Sequence, residues 1–207
     1  MPEEKLTAEY WDARYREGRT GWDLGQSNTA LLAELKRRID RGARILIPGG
    51  GRAYEALALW ERGYANTYIV DWAPRAFDAL REGGLSERVR AAGVDLEARC
   101  IVADFFEHDD HYDALLEQTF FCAIDPTLRD AYVKQAAQLL RPGGLWLGIL
   151  FARDFPTAGP PFGGTADEYR ERFGPHFEIE RLSLWEGSVA PRLGHEVLGV
   201  MRCRSDV

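Results

Sequence analysis

The sequence predicts one α/β domain built around a mostly parallel β-sheet, and three observations lead to this fold class. Apolar runs of strand length alternate with amphipathic helical stretches from residue 43 onward. A triple glycine at 49–51 follows the first run, at a place where parallel sheets turn from strand to helix. No internal repeat or long linker divides the 207 residues, and a chain of this length can form one core.

The first forty residues predict a helical cap, so we expect a single domain over 1–207 with 1–40 as its cap. Thr7 can cap a first helix, and Ser27 or Asn28 can cap a second helix whose leucines recur at helical spacing. A loop punctuated by glycines lies between these helices and carries Trp22.

Five strands are predicted before the C-terminal hairpin. The apolar runs that define them occupy residues 43–48, 65–71, 94–104, 113–120 and 145–151. Helices are expected in the stretches that begin at residues 53, 74, 85 and 126, and the four residues RPGG before the fifth run are expected to form a turn. A Gly/Pro-rich loop, a short helix near 165–173 and two strands at 177–186 and 195–203 complete the chain.

Composition argues against several classes of protein. The chain has 26 Lys+Arg against 33 Asp+Glu, a net charge of −7, whereas nucleic acids and anionic membranes favour basic partners. The apolar stretches are too short to span a bilayer, and the charged start lacks the apolar core of a secretory signal. Three widely spaced cysteines are typical of free thiols in a reducing cytoplasm. We therefore expect a cytoplasmic protein without nucleic-acid or membrane partners.

The glycine turn and the acids after it predict a nucleotide-type cofactor site. Position 54, where a dinucleotide fingerprint has its third glycine, is Tyr54, which disfavours a nicotinamide enzyme. Asp71 ends the second strand, where a carboxylate can accept from ribose hydroxyls, and Asp104 with Phe105 ends the third, where an acid can accept from an adenine amino group. The alternatives are a flexible glycine turn and a helix-capping role for Asp71.

The end of the fourth strand predicts a pocket with one polar and one apolar side. Glu117, Gln118 and Thr119 precede two phenylalanines, and ordinary core packing is the alternative for the latter. Trp11 and Trp22 can close this pocket from the cap.

Two charged clusters are interpreted as solvated surface. The segment His108–His111 forms a loop without matching ligands elsewhere, so no metal site is expected. Glu186, Arg192 and His195 are interpreted as charges of a solvated edge strand.

Five segments resemble class I S-adenosylmethionine-dependent methyltransferases and, more narrowly, the thiopurine S-methyltransferase family with its thiol and halide/thiocyanate branch. In chain order they are RILIPGGGRAYEALALWERG, YIVDWAPRAFDAL, ADFF, LLEQTFFCAIDPTLR and LLRPGGLWLGILF. The segments YWDARYREGRTGWDLGQ and GPPFGG match as well, so the resemblance covers nearly the whole chain. It implies a Rossmann-like seven-stranded sheet with helices on both faces and an antiparallel C-terminal strand.

The resemblance also implies site residues and S-adenosylmethionine as the cofactor, with S-adenosylhomocysteine as the product. The expected cofactor contacts are Trp22, Gly49, Gly51, Asp71, Trp72, Asp104, Phe105, Gln118 and Thr119. The expected acceptor contacts are Trp11, Phe120 and Phe162. The family pattern is not followed at three places, which are Gly21, the stretch 26–29 and Trp72. These departures affect the expected shape of the cap loop and therefore the choice of acceptor.

The function expected from this resemblance is in-line methyl transfer to a small soft nucleophile. A thiol or another sulfur compound is the favoured acceptor. Halide, thiocyanate and selenium or tellurium species are the other acceptors considered. The alternatives are a small-molecule N- or O-methyltransferase and an inactive S-adenosylmethionine-binding protein. No catalytic base is assigned, and a monomer or weak homodimer is expected.

Overall fold

The computed structural model describes residues 5–156 and 159–205, in which seven strands form one sheet. The strands are β1 (Ile45–Pro48), β2 (Thr67–Asp71), β3 (Cys100–Val102), β4 (Tyr112–Gln118), β5 (Leu140–Phe151), β6 (Phe177–Leu184) and β7 (Glu196–Cys203). Their order is β3-β2-β1-β4-β5-β7-β6. The first five pair in parallel, whereas β7 is antiparallel to both β5 and β6. The predicted fold class is confirmed.

Eight α-helices surround this sheet in the described part of the chain. They are α1 (Ala8–Arg16), α2 (Thr29–Lys36), α3 (Tyr54–Trp60), α4 (Asp78–Arg81), α5 (Ser86–Ala91), α6 (Leu96–Arg99), α7 (Arg129–Leu139) and α8 (Ala166–Phe173). Short 3₁₀ turns occupy Pro74–Phe77, Pro126–Leu128 and Ala190–Arg192. Thr7 caps α1, and Asn28 rather than Ser27 caps α2 by accepting from the Leu31 N–H at 3.0 Å.

Strand β1 shows why both faces of the sheet are covered. Its side chains alternate between two cores, because successive residues of a strand point to opposite faces. Ile45 and Ile47 pack with α2 and α3 on one face, and Leu46 packs with α7 on the other. The continuous apolar run that predicted a buried parallel strand is explained by this double packing.

Two predicted elements differ from the structure. The third strand is much shorter than 94–104, because Asp95 accepts a hydrogen bond from the Glu97 N–H at 3.1 Å and starts helix α6. The RPGG segment lies inside β5 and not in a separate turn. The β4–β5 register passes from Tyr112↔Leu140 to Ala114↔Leu145, so the four intervening residues bulge out of the sheet.

No helix in residues 5–156 and 159–205 is long and apolar enough to cross a membrane.

The N-terminal cap packs onto the carboxyl ends of the strands. Asp12 of α1 pairs with Arg75 at 3.1 Å, and the Asn28 N–H donates to Glu55 at the start of α3 at 2.8 Å. The cap is therefore attached beside the glycine turn.

Candidate active site

The glycine turn after β1 is packed too tightly for any other residue at two of its three positions. Gly49 has a φ of +54°, and a Cβ there would lie 2.3 Å from Cδ2 of Phe120. A Cβ on Gly50 would lie 2.4 Å from Ile69. Gly51 also has a positive φ of +54°, which only glycine adopts without strain. The turn is thus a close backbone surface and not merely a flexible link.

Asp71 lies at the carboxyl end of β2, next to this turn. Its two carboxylate oxygens accept from the backbone N–H of Gly51 at 3.3 Å and of Ala73 at 2.9 Å. The side chain is 8% exposed, and burial outweighs these bonds and raises its pKa to about 6. The 3₁₀ turn at Pro74 has Ala73 at its N-cap without a side-chain cap, so Asp71 does not serve as the capping residue.

The cap places aromatic groups directly over Gly51. The Trp22 ring meets the rings of Trp11 and Tyr15 edge-on at centroid distances of 5.3 and 5.7 Å. A Cβ on Gly51 would lie 3.0 Å from the Tyr15 hydroxyl and 3.9 Å from the Trp22 indole nitrogen. Burial raises the pKa of Tyr15, with the Asp71 charge contributing. Sequence analysis missed Tyr15, although it lies one helical turn from Trp11.

Glu117 shapes the turn that follows β4. This carboxylate is fully buried and accepts from the N–H of Phe120 at 2.8 Å, the N–H of Phe121 at 2.9 Å and the Tyr132 hydroxyl at 2.7 Å. Burial outweighs these three donors and raises its pKa to about 7. Thr119 inside the turn has a φ of +67°, a strained conformation that the Glu117 bonds hold in place.

The predicted cofactor residues Gln118, Asp104 and Phe105 have distinct surroundings. Gln118 Oε1 is buried without a hydrogen-bond partner among the described residues. Asp104 lies just beyond β3 and accepts from the Phe106 N–H at 2.9 Å. The Phe105 ring is buried and stacks on Tyr132 at 5.2 Å, so only its backbone remains available to a ligand. Trp72 packs half-buried on the core.

Two of the residues expected to contact the acceptor, Phe120 and Phe162, lie on either side of the β4 turn. Phe120 is half-buried and meets the Phe105 ring edge-on at 5.3 Å. Phe162, in the Gly/Pro-rich loop, donates its N–H to the Cys122 carbonyl oxygen at 2.7 Å. The structure therefore brings this loop, the β4 turn and the glycine turn together at one edge of the sheet.

Arg192 is not the solvated surface charge that the sequence predicted. Glu186 and His195 are exposed as expected, but the Arg192 side chain is only 13% exposed. One of its terminal nitrogens donates to the Trp22 carbonyl oxygen at 3.2 Å, and the guanidinium lies 5.4 Å from the Phe151 ring centroid. The other nitrogen, Nη1, is buried 3.5 Å from Glu196 without a hydrogen-bond partner in the described structure.

The histidine-containing loop lies away from this edge. His108 hydrogen-bonds the Tyr112 hydroxyl at 2.8 Å, at the start of β4. Within the described ranges no three His, Cys, Asp or Glu side chains cluster as metal ligands would.

The sheet order, the glycine turn and the acid after β2 define a class I S-adenosylmethionine-dependent methyltransferase. The residues present fit that cofactor, because Asp71 offers a buried carboxylate to a ribose diol and Gln118 Oε1 is buried without a hydrogen-bond partner in the described structure. More narrowly, a family model described as thiopurine S-methyltransferase matches residues 6–207. The chain belongs to that family.

Curated relatives carry related names. The chain is 28% identical over 202 residues to probable thiol methyltransferase 2 of Arabidopsis thaliana, covering 91% of this chain and 82% of the relative. It is 28% identical over 195 residues to thiopurine S-methyltransferase of Pseudomonas paraeruginosa, covering 86% of each. It is 26% identical over 200 residues to thiocyanate methyltransferase 1 of Brassica oleracea, covering 91% and 82%.

Solved structures support the fold. The 1,6-didemethyltoxoflavin-N1-methyltransferase of Burkholderia thailandensis, with bound S-adenosylhomocysteine, superposes with a TM-score of 0.73 at 21% identity and covers 99% of this chain and 92% of that one. Magnesium protoporphyrin IX methyltransferase of Synechocystis, with bound cofactor, gives a TM-score of 0.64 at 13% identity and covers 98% and 86%. At these identities the likeness shows the fold alone.

Proposed function

We propose that this methyltransferase acts on a small anionic sulfur acceptor, such as a thiolate or thiocyanate. The observation that carries the proposal is the buried Arg192 guanidinium, whose Nη1 makes no hydrogen bond in the described structure. It lies between the Trp22 carbonyl and the Phe151 ring. Nη1 lies 3.5 Å from the buried Glu196 carboxylate without a hydrogen bond to it, and a guanidinium with an unused donor favours an anion. The names of the relatives point to the same acceptor class.

The cofactor is proposed to lie along the carboxyl ends of β1 and β2. Asp71 would accept from the ribose hydroxyls, the backbone of Gly49 and Gly51 would contact the methionine part, and Asp104 would accept from the adenine amino group. Trp22 covers the methionine end, where an aromatic face stabilises a cation. The buried Gln118 oxygen, without a partner in the described structure, is proposed to face the same positive centre.

The chemistry proposed for this site needs no protein base. Bound S-adenosylmethionine supplies an activated methyl group, so transfer depends on orientation and exclusion of water. The acceptor's sulfur lone pair forms the new S–C bond as the bond from that carbon to the sulfonium breaks. Glu117 already accepts three hydrogen bonds, and burial raises the pKa of Cys122 to about 12. Glu117 is fully enclosed and the Cys122 thiol donates to the Thr119 carbonyl oxygen, so neither side chain reaches an acceptor's proton, which favours an acceptor that arrives ionised.

Arg192 also argues against an amine acceptor. An ammonium ion would have to lose a proton before reacting, and a guanidinium has donors only and cannot accept that proton. The N-methyltransferase alternative therefore ranks second. We further propose that the protein works in the cytoplasm as a monomer or weak homodimer. Light scattering on purified protein checks the oligomeric state.

The test is a panel of acceptors offered to purified protein with S-adenosylmethionine. Formation of S-adenosylhomocysteine is followed for thiocyanate, hydrosulfide, aryl thiols, a thiopurine, iodide, an amine and a phenol. We expect turnover of sulfur acceptors whose anion is populated at the assay pH, with Asp71→Ala as the inactive control. Turnover of the amine or phenol alone would contradict the proposal, as would binding of the cofactor with no turnover of any acceptor.

A further inference from the structure

Arg129, at the start of α7, is a buried cation with partners on three different segments. Its side chain is 4% exposed. One terminal nitrogen donates to Glu168 of α8 at 2.8 Å and the other to the Gly163 carbonyl oxygen at 2.7 Å. The guanidinium lies 5.1 Å from the ring centroid of Phe121 in the β4 turn, within the range of a cation–π contact.

The segments that Arg129 joins are the β4 turn and the loop that carries Phe162. The loop touches that turn directly through the Phe162 N–H bond to the Cys122 carbonyl. It is also closely packed, since a Cβ on Gly163 would lie 1.9 Å from the Arg153 carbonyl oxygen. The Gly164 N–H donates to that same oxygen at 3.2 Å. Arg129 thus lies beneath the junction between the turn and the loop.

We propose that Arg129 is a positioning residue for the acceptor side of the site. By holding the Gly163 carbonyl, it keeps Phe162 against the β4 turn and so sets the acceptor KM and the size of acceptor admitted. The role of Phe162 in contacting acceptor rests on the proposed function. The holding of the loop does not, because it follows from contacts within the chain.

Cofactor binding is expected to be independent of Arg129. The β4 turn has its own support in Glu117, which holds the Phe120 and Phe121 N–H groups from inside the core. Glu168 also keeps a partner when Arg129 is removed, because Arg172 donates to the same carboxylate oxygen at 2.9 Å. Among the described residues the Gly163 carbonyl accepts no other hydrogen bond, so the loop is the part that loosens.

The experiment compares Arg129→Met and Arg129→Lys with Arg172→Met as the matched control. Methionine keeps the apolar length of the side chain without the two donors. Lysine keeps the charge for Glu168 but lacks the planar fork that also reaches Gly163. Arg172→Met removes the other arginine on Glu168 without touching the loop. Readouts are hydrogen exchange at the Phe162 and Gly164 amides, calorimetric affinity for S-adenosylhomocysteine, and acceptor KM and kcat.

Both Arg129 variants are expected to exchange the two amides about tenfold faster than wild type. Acceptor KM should rise about tenfold, with preference shifted toward bulkier thiols, while the cofactor Kd changes less than about twofold. Arg172→Met should leave all three readouts near wild type. Unchanged exchange at the two amides in folded Arg129→Lys would overturn the proposal, whatever acceptor the enzyme uses. Faster exchange with acceptor KM equal to that of Arg172→Met would also overturn it, leaving Arg129 a purely structural role.

Discussion

The Arg192 guanidinium donates to the carbonyl oxygen of Trp22 at 3.2 Å, across 170 positions of sequence. This bond connects the loop of the N-terminal cap to the C-terminal hairpin. An N-terminal and a C-terminal segment of the chain therefore meet at the edge of the sheet where the strands have their carboxyl ends. The other terminal nitrogen, Nη1, lies 3.5 Å from Glu196, so under the proposed function one side chain links the acceptor site to the cap loop.

Arg192→Gln should lower kcat/KM for thiocyanate by roughly 10- to 100-fold, the usual cost of losing a charged hydrogen bond. The cofactor Kd should change little. Steady-state kinetics with the anionic acceptor and calorimetry with S-adenosylhomocysteine measure the two effects. The matched control is Arg181→Gln, at an exposed position of strand β6. Glu196 loses its ion pair in the variant, so Arg192→Gln/Glu196→Gln separates instability from lost acceptor binding; full activity in that double variant would refute the assignment.

Asp71 should make cofactor affinity depend on pH. Its pKa is about 6 without ligand, and ribose hydroxyls donate to the ionised form. Binding therefore favours the carboxylate, and the Kd for S-adenosylhomocysteine should rise by up to tenfold for each pH unit below about 6. Asp71→Asn should bind roughly 10- to 100-fold more weakly with a flatter profile, whereas Asp78→Asn, an exposed acid on α4, should follow wild type. Calorimetry from pH 5 to 8 measures these Kd values. A wild-type Kd that does not change with pH would contradict the role of Asp71 in cofactor binding.

The order of elements could be predicted because its signals are local. The run Ile45–Pro48 is apolar throughout since both of its faces are covered, and glycine directly after it marks the turn. Helix α6 was mistaken for strand because four residues are too few to show a helical period, and its Asp95 cap was the one usable signal.

The buried Arg129 and the partly buried Arg192 could not be predicted in the same way. A charged residue appears as surface in a sequence, and only distant partners make its burial tolerable. Arg129 contacts Gly163 and Glu168, 34 and 39 positions away. Arg192 contacts Trp22 at a still greater separation. Asp71, by contrast, is placed by its own strand and its distance from the glycine turn, so its position beside Gly51 could be predicted.

Glu117→Gln should remove a pH dependence of stability. The folded-state pKa of Glu117 is raised from 4.5 to about 7, so the folded protein holds a proton that the unfolded chain releases. The free energy of unfolding of the wild type should therefore fall as pH rises from about 4.5 to 7, by on the order of 3 kcal/mol relative to Glu117→Gln. Urea unfolding of both proteins at pH 4.5, 6 and 8 measures it. Asp71 titrates in both proteins, so its contribution cancels in the difference between their free energies of unfolding. If that difference stays constant with pH, the buried charge of Glu117 is contradicted.

Gly49→Ala should destabilise the protein and weaken both ligands. The new Cβ would sit 2.3 Å from the Phe120 ring at a φ of +54°, so the variant adds backbone strain and forces the β4 turn away from the glycine turn. We expect a loss of about 2–4 kcal/mol, seen as a Tm decrease on the order of 5–10 °C. The matched control is Gly42→Ala, where a Cβ would meet nothing within 4 Å and the Tm should hold or rise slightly. Because the displaced Phe120 ring borders both proposed subsites, the Kd for S-adenosylhomocysteine and the acceptor KM should increase together at temperatures where Gly49→Ala remains folded. Equal behaviour of the two variants would show that the glycine turn tolerates a side chain at Gly49, against the close packing of this residue on Phe120.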